Sequence, residues 1–164
     1  MNKIIKYLII FALILIAYGC KDEKLTMQRS SYLGNDIRLD GYYYNQRKNS
    51  GSPPRDYTTV FFLYRNGIIL NAHSYIGTNL DVVEKEMINQ YEALQNQKIG
   101  WGIFIVTGNQ IEYEQWSTSV GGGLPVFKNN YIIENDTTLI NSWGEIYHFR
   151  QFSPKPDSTN NFIK

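Results

Sequence analysis

The two histidines are the first residues to weigh for catalysis or metal binding. His73 and His148 lie on separate predicted strands, with no cysteine or acidic residue at the spacing of a ligand set. A zinc site needs three or four converging ligands. The serines cluster in predicted loops without a neighbouring histidine, so no nucleophile is paired with a base. We therefore expect no catalytic residue and no metal ligand, and a protein that is not an enzyme.

Two glutamates on one predicted strand could in principle act as an acid–base pair. Glu112 and Glu114 are two residues apart, so the strand rise separates their Cα atoms by about 6.6 Å, and paired carboxylates are the machinery of glycoside hydrolysis. However, they alternate with Ile111 and Tyr113, whose side chains belong on the core face. We therefore expect both glutamates on the solvated face of the strand.

The three tryptophans could bind a ligand, because aromatic rings next to glycine stack on sugars and apolar molecules. Trp101, Trp116 and Trp143 lie on different predicted strands. Large aromatic side chains also fill small cores, so we assign two of the three to the core. Trp116 or Trp101 is expected to form a ligand-binding surface. Trp116 is the stronger candidate, since alternation places it with the glutamates and away from Ile111.

Cys20 is the only cysteine, and the residues before it predict that it carries a lipid. Lys3 and Lys6 precede an apolar run of 12 residues, from Tyr7 to Tyr18. A membrane-spanning helix needs about 20 apolar residues, so the run fits the hydrophobic region of a secretory signal better. Ala17-Tyr18-Gly19-Cys20 then resembles a lipobox, where lipoproteins are acylated and cleaved before the cysteine. An ordinary secretory signal and an uncleaved anchor remain the alternatives.

The residues that follow the cysteine bear on location. Lys21-Asp22-Glu23 resembles the export signal of surface lipoproteins in Bacteroidota. Two or more acyl chains hold a protein stably on a membrane, so the membrane is an expected partner through the lipid on Cys20. We expect an outer-membrane protein displayed at the cell surface, with the periplasmic face as the alternative.

Composition excludes several classes of function. Loss of Lys3 and Lys6 with the signal changes the formal net charge from +1 to −1, and nucleic-acid binding requires a basic face. With Cys20 committed to lipid, no disulfide and no thiol nucleophile remain, and no cofactor is implied. The chain contains 13 tyrosines and 8 phenylalanines, and these residues favour β-strands.

Turn signals divide the chain into short antiparallel strands. Asn66-Gly67 is the strongest hairpin signal, because both residues tolerate the positive φ angles of a type I′ turn. Gly108-Asn109 and Asn135-Asp136 predict two more hairpins. The predicted strands are Ile37–Gln46, Tyr57–Arg65, Ile68–Tyr75, Ile99–Thr107, Ile111–Ser117, Val126–Glu134, Thr137–Trp143 and Ile146–Phe152.

One segment changes to helical periodicity after the third strand. Apolar residues recur there every three or four positions, at Leu80, Val83, Met87, Tyr91 and Leu94. This spacing predicts one amphipathic helix over residues 79–97. Thr78, with Asp81 three residues later, resembles its capping box.

These elements predict a mainly β fold, with α+β as the alternative. Tight turns make consecutive strands antiparallel neighbours. We expect an antiparallel β-barrel or strongly bent sheet of about eight strands, with the helix plugging one end or packing on one face. The expected organisation is a signal peptide over 1–19, a lipidated cysteine and tether over 20–36, one domain over 37–152, and a polar tail over 153–164.

Four short segments within residues 37–160 carry a family resemblance. They are Leu39-Asp40-Gly41-Tyr42-Tyr43, Tyr64-Arg65-Asn66-Gly67, Ile132-Ile133-Glu134-Asn135-Asp136-Thr137-Thr138 and Lys155-Pro156-Asp157-Ser158-Thr159. They resemble small lipocalin-like lipoproteins of Bacteroidota, which implies a barrel behind a lipid anchor. Two features differ from lipocalins. Those proteins carry Gly-x-Trp on the first strand, where this chain has Gly41-Tyr42-Tyr43, and their main helix follows the eighth strand.

Two functions from different classes follow. The first is non-catalytic binding of a small apolar or saccharide ligand by the barrel interior or an aromatic face. The second is a structural or accessory role, in which the surface docks on an envelope protein. A void lined by aromatic and polar groups would favour the first, whereas a filled core with an exposed apolar patch would favour the second.

Overall fold

The computed structural model describes residues 22–49, 53–120 and 122–164, and these form a closed antiparallel barrel. The strands are β1 (Gly41–Asn49), β2 (Arg55–Leu63), β3 (Ile68–Ile76), β4 (Trp101–Thr107), β5 (Gln110–Trp116), β6 (Val126–Asn135), β7 (Thr138–Asn141) and β8 (Ile146–Gln151). Each strand pairs with the next, and β8 closes on β1. The predicted eight-stranded, lipocalin-like barrel is confirmed. The predicted signal peptide and Cys20 lie outside the described residues.

The helical segment contains two short helices instead of one. α1 (Leu80–Asn89) and α2 (Tyr91–Asn96) meet at Gln90. The prediction that Thr78 caps the segment is wrong, because the Asn79 side chain accepts hydrogen bonds from the backbone N–H of Asp81 and Val82. The predicted apolar face is correct at its buried positions, which are Val83, Met87 and Leu94.

The two helices cover the outside of the barrel. Their buried side chains pack with the outward-facing side chains of β1 to β4, including Tyr42, Phe62, Leu70 and Trp101. Tyr42 donates a hydrogen bond to Glu84 on α1, at 2.9 Å. Both ends of the barrel are therefore left to other parts of the chain. Among the described residues, no helix is long and apolar enough to cross a membrane.

Aromatic side chains fill the barrel interior. Every strand contributes a buried side chain to this cluster, namely Tyr43, Phe61, Ile69, Phe104, Tyr113, Tyr131, Leu139 and Tyr147. The ring of Tyr131 lies 5.0 Å from that of Phe61, 5.4 Å from that of Tyr113 and 5.2 Å from that of Tyr147. Burial raises the pKa of the Tyr131 hydroxyl well above its usual value. The centre of the barrel is thus a packed core.

Residues 22–40, which we name the strap, pack along the outside of the barrel and across one end. The prediction of a tether up to residue 36 is wrong for the described part of that segment, because Tyr32 is buried in the interior cluster and the Thr26 and Met27 N–H groups donate to Glu114. At Gly67, whose φ is +79°, an added Cβ would lie 2.1 Å from the carbonyl oxygen of Ser30. The strap therefore rests directly on the β2–β3 turn. Because residues 37–40 belong to the strap, β1 begins at Gly41 and not at the predicted Ile37.

The C-terminal residues also pack on the barrel, in place of the predicted free polar tail. Ile163 and Pro156 are buried. The ammonium of Lys155 donates hydrogen bonds to the carbonyl oxygens of Leu39 and Leu63, at 2.6 and 2.9 Å. Burial lowers its pKa to about 8. The polar composition of residues 153–164 therefore gave the wrong prediction, because one half-buried lysine and a few apolar side chains bind this segment to the barrel.

The barrel therefore has two different ends. At the closed end, the strap donates backbone hydrogen bonds to the tight turns that join β2 to β3 and β6 to β7. At the other end, which we name the mouth, longer segments follow β1, β3, β5 and β7.

Candidate functional site: the mouth of the barrel

A cleft of about 420 Å³ opens at the mouth. It exists because β3 and β4 pair only where Ile68–Leu70 meets Trp101–Ile103, so the two strands part beyond that point. The polar side chains that line it are Thr59, Asn71, His73, Ser74, Gln97, Gln115, Ser117 and Thr118. The volume lies within the range of small-molecule sites, which is about 300–1,000 Å³.

A bulge between β2 and β3 sets one wall of the cleft. The register shifts between Thr59 and Phe61, and His73 opposite them has a φ of +70°. The Asn71 side chain accepts a hydrogen bond from the His73 backbone N–H at 3.0 Å. The His73 Nε2 lies 2.8 Å from the Gln97 amide nitrogen. Burial lowers the pKa of His73 below its usual 6.5, so the imidazole is neutral at pH 7.

The other polar groups of the cleft are neutral as well. The Thr59 and Ser74 hydroxyls lie 2.8 Å apart, so each retains bonding capacity toward the cleft. Gln115 is 8% exposed, and its amide makes no hydrogen bond to another described residue. The described lining contains no carboxylate, ammonium or guanidinium. Such a set can donate to and accept from hydroxyl groups, but it offers no partner to a charged ligand.

The structure separates the two tryptophans that the sequence nominated for binding. Trp116 lines the cleft, although it is only 4% exposed, because its indole N–H donates to the carbonyl oxygen of Glu23 and Lys98 lies over its ring. Trp101 is fully buried, and its indole N–H donates to the carbonyl oxygen of Leu94. Trp101 is therefore a core residue, and the binding role of Trp116 stays a prediction.

Trp143 is the exposed tryptophan, at 66%. Its ring stacks on Phe127, with centroids 6.2 Å apart and planes at 23°. The Asn141 side chain holds the turn by accepting hydrogen bonds from the backbone N–H of Trp143 and Glu145. Sequence reasoning missed this residue because it extended the seventh strand to Trp143. The glycine at position 144 was the available sequence signal that the strand had already ended. In the structure its φ is +79°.

The two glutamates of β5 lie in different environments. Glu112 is exposed, as expected, but the prediction of a solvated Glu114 is wrong, because Glu114 is 2% exposed. Its carboxylate accepts hydrogen bonds from the Thr26 N–H and hydroxyl and from the Met27 N–H, and it pairs with Lys128 at 2.5 Å. Although burial raises its pKa, these partners outweigh burial and lower it to about 2. Glu114 therefore anchors the strap to β5.

The histidines do not converge. His148 on β8 is exposed and lies against Tyr44, three strands around the barrel from His73 on β3. Within the described part of the chain, no group of three potential ligands could hold a metal ion. The expectation that the protein is not an enzyme stays a prediction.

Similarity to known proteins adds nothing to this description. No protein-family model matches the chain. No curated protein and no solved structure is significantly similar to it. The function therefore has to be inferred from the chemistry of the mouth.

Proposed function

We propose that this protein is a lipid-anchored lipoprotein of the outer membrane that binds a neutral saccharide in the mouth cleft, without catalysis. The observation that carries the proposal is the lining of the cleft, where hydroxyl, amide and neutral imidazole groups converge and Gln115 has no partner among the described residues. An amide that bonds to no other described side chain or backbone group can donate to and accept from a ligand that enters the cleft.

The type of ligand follows from the balance of polar and apolar groups. Saccharides present many hydroxyls, each of which can donate and accept, and amides and hydroxyls match them. The filled core argues against a long apolar ligand inside the barrel, since Phe61, Tyr113 and Tyr131 occupy that space. The cleft is accordingly suited to one or two sugar units at its opening.

Binding is tested with the secreted Cys20→Ser protein, titrated with a panel of soluble neutral oligosaccharides by calorimetry. We expect millimolar to micromolar binding to at least one of them, weakened at least tenfold by Gln115→Met. Gln110→Met is the matched control, because Gln110 lies on the same strand at the closed end. Binding that is insensitive to Gln115→Met, or no binding at all, would exclude the cleft as a saccharide site.

The anchor is proposed from the lipobox-like residues that end at Cys20, which would hold the protein on the outer membrane at the cell surface. The test is metabolic labelling with a palmitate analogue and intact mass, comparing the wild type with Cys20→Ser. We expect a labelled wild type cleaved before Cys20 and an unlabelled variant. An unlabelled wild type would contradict lipidation and leave the saccharide site unaffected.

A second candidate is docking on an envelope protein. The exposed stack of Phe127 and Trp143 favours it, since aromatic side chains are enriched at protein interfaces. Photo-crosslinking in cells from a reactive residue at position 143 would yield one discrete protein adduct under this alternative. A lipid adduct, or none, would contradict it.

A further inference from the structure

Apolar side chains form an exposed rim around the mouth. Among the described residues, nine large hydrophobic side chains are exposed, and five of them lie at this end. They are Ile76, Val120, Phe127, Trp143 and Ile146. Ile76 ends β3, Ile146 begins β8, and Val120 lies in the segment between β5 and β6. More than half of the exposed large apolar side chains thus lie at the end that carries the polar cleft, and Phe127 and Trp143 stack on each other there. This concentration indicates that the mouth faces something other than water.

The described chain begins at the same end of the barrel. The Asp22 carboxylate accepts a hydrogen bond from the Leu124 N–H and pairs with Lys98, at 3.1 and 2.8 Å. The Glu23 N–H donates to the carbonyl oxygen of Leu124, and the Glu23 carboxylate accepts from the Val126 N–H. Residues 22 and 23 are thus held on the segment that leads into β6. This fastening fixes the point at which the anchor reaches the barrel.

The remaining length of chain is very short. Two residue steps separate Cys20 from Asp22, and covalent geometry limits them to about 7 Å. A lipid on Cys20 would therefore hold Asp22, and with it the mouth end of the barrel, close to the bilayer surface. A longer free tether, as the sequence predicted, would have let the barrel turn in any direction.

We propose that the mouth rests on the bilayer that holds Cys20, with its apolar rim in the headgroup region, and that the cleft binds the saccharide headgroup of a membrane lipid. This inference rests on the proposed lipidation and saccharide site. Tryptophan and other aromatic residues favour the interface between headgroups and hydrocarbon. A cleft that opens toward that layer meets sugar headgroups at high local concentration.

Charge does not supply the attraction. The rim carries both signs, since Arg47 pairs with Glu145 and Lys48 faces Asp56 across β1 and β2. Attraction to anionic lipids requires a basic surface. Contact through the apolar rim should therefore be similar on neutral and anionic vesicles.

The orientation is tested independently of natural lipidation. Cys20 is the only thiol, so a maleimide phospholipid couples the mature chain to vesicles at that position alone. Vesicles containing brominated phosphatidylcholine quench the fluorescence of tryptophans at the interface. Trp101 and Trp116 are buried, so quenching reports mainly on Trp143. The matched control is Leu33→Trp combined with Trp143→Phe, since Leu33 is 85% exposed on the strap near the closed end.

We expect at least twofold quenching for the wild type and less than a fifth of that for Trp143→Phe and for the Leu33→Trp control. Equal quenching of Trp143 and of the Leu33→Trp control on fully bound protein would overturn the orientation. Because the lipid is attached chemically, this result is independent of whether cells acylate Cys20.

The source of the saccharide is tested by flotation of the soluble Cys20→Ser protein with vesicles. We expect binding to increase at least fivefold when the vesicles contain a monoglycosyl diacylglycerol, and Gln115→Met to remove the increase. If flotation is the same with and without the glycolipid, while a soluble oligosaccharide still binds in calorimetry, the headgroup inference is overturned. The proposed saccharide site is then unaffected.

Discussion

The closed end and the mouth of the barrel are formed by the same eight strands, but different side chains occupy them. At the closed end, Tyr32 and Ile37 of the strap are buried against Phe104, and the Ser30 carbonyl oxygen packs on Gly67. At the mouth, Trp143 is exposed and the Gln115 amide has no partner in the described chain. One end therefore provides stability, and the other retains unsatisfied groups that a ligand or surface can use.

The largest expected effect contrasts two phenylalanines, one at each end. Phe104→Ala at the closed end should lower the free energy of unfolding by about 3–5 kcal/mol, because Phe104 is 1% exposed and its removal leaves a cavity. Phe127→Ala at the mouth should cost less than about 1 kcal/mol, since Phe127 is 37% exposed. Urea unfolding followed by fluorescence measures both. Similar losses for the two variants would break the distinction between the ends.

The strap gives the next effect. Glu114→Gln should lower the free energy of unfolding by about 2–3 kcal/mol, because the Thr26 and Met27 N–H groups would lose a charged acceptor. The matched variant Glu112→Gln, on the exposed face of the same strand, should change it by less than about 0.5 kcal/mol. Limited proteolysis should cut the strap faster in Glu114→Gln alone. Equal stability of both variants would show that Glu114 does not fasten the strap.

The same carboxylate predicts a pH dependence. The folded pKa of Glu114, about 2, lies below its ordinary 4.5, so the unfolded chain binds the proton more tightly. Its contribution is therefore fully present above about pH 4.5 and is lost as the pH falls toward 2. After allowance for the exposed Lys128, the contribution is about 2 kcal/mol. The stability difference between wild type and Glu114→Gln should shrink over this window. A difference that stays constant down to pH 2.5 would contradict the assignment.

The smallest expected effect tests whether Trp143 at the mouth is exposed in solution. Trp143→Ala should change the free energy of unfolding by less than about 0.5 kcal/mol, because the side chain is mostly in water. It should also shift the fluorescence maximum to shorter wavelength, since the buried Trp101 and Trp116 then dominate the emission. An unchanged spectrum would mean that Trp143 is covered in solution, and the apolar rim would need revision.

Local signals were sufficient for most of the fold. Asn66-Gly67 predicted its hairpin, but the predicted type I′ turn is wrong, because Gly67 has a positive φ and Asn66 does not. The spacing of Val83, Met87 and Leu94 predicted the buried helical face. Such signals act between residues a few positions apart, so they survive without knowledge of the tertiary structure. The same reasoning placed Trp143 in a strand because it extended β7 two residues beyond its end at Asn141.

The candidate site was predictable only in part. Trp116 was nominated from alternation, and it does line the cleft. Gln115 and Trp143 were not nominated, because a lone glutamine or an aromatic residue at a strand end carries no signal by itself. The cleft arises where β3 and β4 stop pairing, and it is closed by residues from β2, β3 and β5. Because the lining residues come from strands that are far apart in the sequence, no single segment contains a pattern that predicts the cleft.

The sequence by itself determined the antiparallel strands and their order, because turn chemistry and alternation are local properties. It left a closed barrel and a strongly bent sheet as alternatives, and the pairing of β8 with β1 decided between them. Only the tertiary structure decided the role of the ends. The Thr26 N–H donates to Glu114, which lies 88 positions later in the sequence. Because of this contact, residues that read as a tether form the strap, and a glutamate expected on the surface holds the strap on β5. Burial of a charged side chain depends on which remote partners arrive to satisfy it, and the residue type alone does not specify them.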